Sequence, residues 1–64
     1  MTKKEIIEKL EEREVFFNSK STRYELGKTL FKLELLLALR ERDIENSEKW
    51  KIKLRELEVE RYVK

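Results

Sequence analysis

The sequence predicts an all-α fold. Three observations carry that expectation. The chain is rich in Glu, Lys, Leu and Arg, with ten leucines, no proline and one glycine, a composition typical of helices and coiled coils. Two T-x-x-E capping boxes, Thr2/Glu5 and Thr22/Glu25, mark helix starts. Apolar residues recur at helical spacing over most of residues 3–44. The expected architecture is a helical hairpin or three-helix arrangement, with helices over about 3–17, 22–45 and 48–63, in one small domain spanning 1–64.

The first helix starts at the Thr2 cap. Ile6, Leu10 and Phe17 fall within ~40° of one another on a helical wheel, and Ile7 widens that stripe. Glu8, Glu11, Glu12 and Arg13 occupy the remaining face, while Val15 and Phe16 are assigned to packing near the turn. Asn18-Ser19-Lys20-Ser21 then breaks the helix, because short polar side chains compete for backbone hydrogen bonds.

The second helix is placed from Thr22, with Thr29 as the alternative start. It carries two apolar stripes. Leu26, Leu30, Leu33 and Leu37 form one, and Tyr24, Phe31, Leu35, Ala38 and Leu39 form another, roughly opposite. A helix apolar on two sides needs cover on two sides. The four-three spacing continues through Arg40 and Ile44, fails at Ser47 and Lys51, and restarts out of register at Trp50, Leu54 and Leu57. Such a register jump predicts a turn or kink at Asn46-Ser47, with Ser47 capping the next helix.

The last segment reads two ways. As a helix it presents Trp50, Leu54 and Leu57 on one face and Ile52, Val59 and Val63 on the other. As a strand, Trp50, Ile52 and Leu54 alternate with Lys49, Lys51, Lys53 and Arg55. No hairpin signal pairs it with another segment, so helix is the preferred reading.

Composition narrows the chemistry. Without histidine or cysteine, the chain lacks the commonest general base and metal ligand, and any thiolate or disulfide. Its serines and threonines have no histidine to activate them. Glu11, Glu12 and Glu14 read as a solvated helix face, and the only glycine, Gly27, cannot form a phosphate-binding loop. The expectation is a non-enzymatic chain without cofactor or metal.

Charged residues make up 47% of the 64, yet the net charge is only +2. Met1-Thr2-Lys3-Lys4 does not open a secretory leader. The longest apolar run, Leu35–Leu39, is far short of the ~20 residues that span a membrane. A cytoplasmic location without membrane association is the expectation.

What remains is binding. A domain this short buries only ~60% of its unfolded surface, and two-faced helices leave apolar area for a partner. The sequence therefore predicts a small adaptor or regulator that binds a larger protein and assembles as a homo-oligomer. The expected interface residues are Tyr24, Phe31, Leu35, Leu39, Trp50 and Tyr62, since aromatics dominate binding hot spots. Either α-helical stripe of the second helix would serve the self-contact. The alternative is a nucleic-acid-binding protein, with Lys49, Lys51, Lys53 and Arg55 on phosphates and Trp50 stacked on a base.

Overall fold

The computed structural model describes the backbone of residues 1–62 and the side chains of residues 1–60. The described chain is all-helical: α1 spans Lys3–Glu12, α2 Arg23–Arg40 and α3 Ile44–Tyr62. No strand occurs among the described residues. The segment whose alternation also fitted a strand is helical from Ile44 onward. With no neighbouring strand edge to satisfy its backbone, it closes its hydrogen bonds within itself.

Both capping threonines start helices. Thr2 Oγ1 accepts from the Glu5 backbone N–H at 3.3 Å, and the Thr2 N–H donates to Glu5 Oε1 at 3.2 Å. The Thr2 N–H and the Thr2 hydroxyl, the latter 3.1 Å from Glu5 Oε1, both donate to the charged carboxylate and hold the Glu5 pKa below its ordinary value. Thr22 Oγ1 likewise accepts from Glu25 N–H at 3.2 Å, so α2 starts after Thr22 rather than at Thr29.

The helix ends differ from those expected. α1 stops at Glu12, not near Phe17, because Glu14 turns into the left-handed region at φ 55°. There the Glu14 N–H donates to Glu11 O and the Val15 N–H to Leu10 O, the paired bonds of a left-handed C-cap. α2 ends in the same way. Arg42 has φ 59°, its N–H donates to Leu39 O, and the Asp43 N–H donates to Ala38 O. The chain reversal therefore falls at residues 41–43, several residues before Asn46-Ser47. Asp43, not Ser47, caps α3, accepting from Asn46 N–H at 3.2 Å. Ser47 is buried, and its hydroxyl donates to Ile44 O at 2.8 Å.

Of the two expected arrangements the structure shows three helices, and its hairpin is formed by α2 against α3. Arg23 reaches Glu60, Tyr24 reaches Glu58, and Phe31 stacks near Trp50, so α2 and α3 run antiparallel. α1 instead runs in the same sense as α2. Arg23 Nε donates to Met1 O, Ile6 lies over Gly27, and Arg13 makes a bidentate contact with Glu34 at 2.8 and 3.2 Å. The connection from Arg13 to Thr22 must travel back along α1. Its residues Val15 and Phe17 pack against the core as it does so.

The core consists of Ile6, Leu10, Leu26, Leu30, Phe31 and Leu57, all buried. α1 and α3 each pack on α2, and no Cα of α1 lies within 8 Å of a Cα of α3. The Cα atoms fill a flattened volume of 33 × 29 × 13 Å. At Gly27 side chains of both neighbouring helices reach α2. A Cβ there would lie 3.3 Å from Leu57 Cδ2 and 3.5 Å from Ile6 Cδ1.

Candidate interaction surface

Two apolar stripes on α2 need two covers, and the chain supplies both. On the first stripe Leu26 and Leu30 are buried in the cluster that contains Ile6 and Leu10 of α1. On the second, Phe31 is buried and meets Trp50 of α3, with ring centroids 5.5 Å apart and planes tilted by 39°. Ala38 is buried too. Half-buried Tyr24 donates from its hydroxyl to Glu58 Oε1 at 2.6 Å. Phe31, Trp50 and Tyr24 therefore serve the α2–α3 seam. Leu35 is half-buried, and Leu39 remains half exposed, next to a more exposed Leu36. The Tyr62 side chain and Val63 lie outside the described residues.

The α3 helix divides into two faces. At ~100° per residue, Ser47, Trp50, Leu54 and Leu57 point toward α2, and each is buried or half-buried. Ile44, Ile52 and Val59 fall within ~80° of one another on the far side. Their exposures are 75, 54 and 53%. Glu48 and Arg55 stand between them on the same stripe, both exposed. Shallow open grooves run along this side, one past Ile44, Lys49 and Ile52 and one past Arg55 and Val59. Ile52 and Val59 share a face in the sequence pattern. Ile44 joins them only because the turn ends at Asp43, so that Ile44 opens α3 instead of closing α2. Phe16, expected to pack near the turn, is fully exposed in the return segment.

The helix also redistributes the basic residues. In a strand, Lys49, Lys51, Lys53 and Arg55 would share one face. In α3, Lys49 and Lys53 lie about opposite Lys51 and Arg55. Lys53 Nζ sits 5.8 Å from the Trp50 ring centroid, and Lys51 Nζ lies 3.6 Å from Glu48. Trp50 packs toward Phe31, so the four cations and the indole do not form one surface.

Ion pairs fasten the edges. Arg23 bridges to Glu60 at 2.7 Å, and Lys28 lies 4.0 Å from Glu58. The hydrogen bond and charge of Glu34 raise the Arg13 pKa above its ordinary value. Among the described residues there is no group of His, Cys, Asp or Glu arranged to hold a metal, and no helix long and apolar enough to cross a membrane. Comparison with family models, curated proteins and solved structures found no match to this chain.

Proposed function

We propose that this chain is a small, non-enzymatic adaptor or regulator that binds another protein through the outer face of α3. One observation carries the reading: Ile44, Ile52 and Val59 are each more than half exposed on one stripe of a helix whose opposite stripe is already buried. A single exposed aliphatic residue is ordinary. Three branched ones in line are not required by the fold, and they match the way an amphipathic helix docks on an apolar groove or on another helix. The proposed contact uses these aliphatic residues, which stand on the side of α3 away from Phe31, Trp50 and Tyr24 in the α2–α3 seam.

The test is capture from host extract by the tagged chain. Ile52→Lys combined with Val59→Lys is expected to abolish capture while leaving helicity and, at dilute protein concentration, the unfolding midpoint unchanged. Capture that survives those changes but disappears when Lys49, Lys51, Lys53 and Arg55 become Glu would overturn the reading and favour nucleic acid.

A further inference from the structure

We infer that the occupant of the outer α3 face is the same face of a second copy, packed antiparallel about a two-fold axis beside Ile52. The inference rests on the proposed α3 surface and specifies its partner. Along the stripe the residues run Ile44, Glu48, Ile52, Arg55, Val59. The pairs Ile44/Val59 and Glu48/Arg55 share one midpoint, between Lys51 and Ile52. A single two-fold axis at that midpoint serves both pairs. It sets Ile44 of one protomer against Val59 of its partner, and Glu48 against Arg55, each contact occurring twice. The two Ile52 side chains meet beside the axis.

A two-fold contact requires a patch that complements itself, and this stripe does so in one orientation only. Parallel packing would set Glu48 against Glu48 and Arg55 against Arg55, and like charges across a helix pair select against that register. The flanks are compatible with the antiparallel arrangement. Glu60 and Glu58 are turned toward α2, where they meet Arg23, and Tyr24 and Lys28. Lys51 comes near its own copy at the rim, and Glu48, 3.6 Å away, offsets that charge. A contact along one helix of 19 residues lies at the low end of interface sizes, where association is weak and concentration-dependent.

The experiment combines sedimentation equilibrium with cysteine cross-linking, for which the chain offers a clean background because it has no cysteine. The intact chain is expected to pass from 7.9 kDa to twice that mass as concentration rises. Glu48→Arg or Arg55→Glu alone turns both cross-pairs repulsive and should weaken the dimer about tenfold. The two changes together should restore it. Under mild oxidation, Ile52→Cys should cross-link to itself. Ile44→Cys should do so poorly alone but readily with Val59→Cys in a mixture.

A chain that stays at 7.9 kDa at all concentrations overturns the inference. So does a double charge reversal that fails to restore the dimer, or an Ile44→Cys variant that cross-links to itself as readily as Ile52→Cys. Host capture that depends on Ile52 and Val59 would still stand if the chain proved monomeric. If that capture is also indifferent to both residues, the α3 surface itself is refuted.

Discussion

Two residues hold unusual backbone for their type. Glu14 and Arg42, at φ 55° and 59°, end α1 and α2 in the left-handed region usually given to glycine or asparagine. That region costs an L-residue roughly 1–2 kcal/mol. Glycine removes the steric term but adds freedom to the unfolded chain. Glu14→Gly and Arg42→Gly should each therefore raise unfolding free energy by a few tenths to ~1 kcal/mol in urea titration. Glu14→Val or Arg42→Val should lower it, since β-branching makes the left-handed region worse. These two residues also explain why the helix ends were the least legible part of the sequence. The capping threonines announce themselves by type and spacing. A glutamate or an arginine at a left-handed stop carries no such mark, so α1 reads too long and the second turn reads too late.

The α2 element shows what patterning can and cannot reveal. Its two stripes are visible at helical spacing, and the demand for cover on two sides is met by α1 and α3. The sense of α1 is not visible, because a ten-residue connection (13–22) allows either direction. The parallel sense is favoured where the return segment can bury Val15 and Phe17 against the core. Gly27 is where α2 admits both neighbours, with Leu57 and Ile6 3.3 and 3.5 Å from an added Cβ. Gly27→Ala asks only a Leu57 methyl to shift a few tenths of an ångström and gains helix propensity. Gly27→Leu has no such room and should destabilise by about 1–3 kcal/mol, measured as a fall in thermal midpoint. The basic alternation at 49–55 is another consequence of element type: a strand would gather those cations, and the helix parts them.

At the scale of the molecule, the described residues of this short chain form a core cluster of six buried side chains drawn from all three helices. Stability in a chain this short is marginal, so each core residue counts and outer residues can be assigned by their indifference to folding. The two faces of α3 were legible as a pattern, but which one faced inward was not. Periodicity gives the angle between stripes and leaves open which stripe meets α2. Trp50, Leu54 and Leu57 took that side, and Phe31 and Tyr24 of α2 meet it there.

Urea unfolding of Leu57→Ala and Ile52→Lys beside the parent chain, at dilute protein concentration, tests this division most directly. Leu57→Ala should lose about 2–5 kcal/mol, or most of the folded population. Ile52→Lys should stay within ~0.5 kcal/mol of the parent. If Ile52→Lys instead unfolds as readily as Leu57→Ala, the outer face of α3 belongs to the core, and the binding surface proposed on it does not exist.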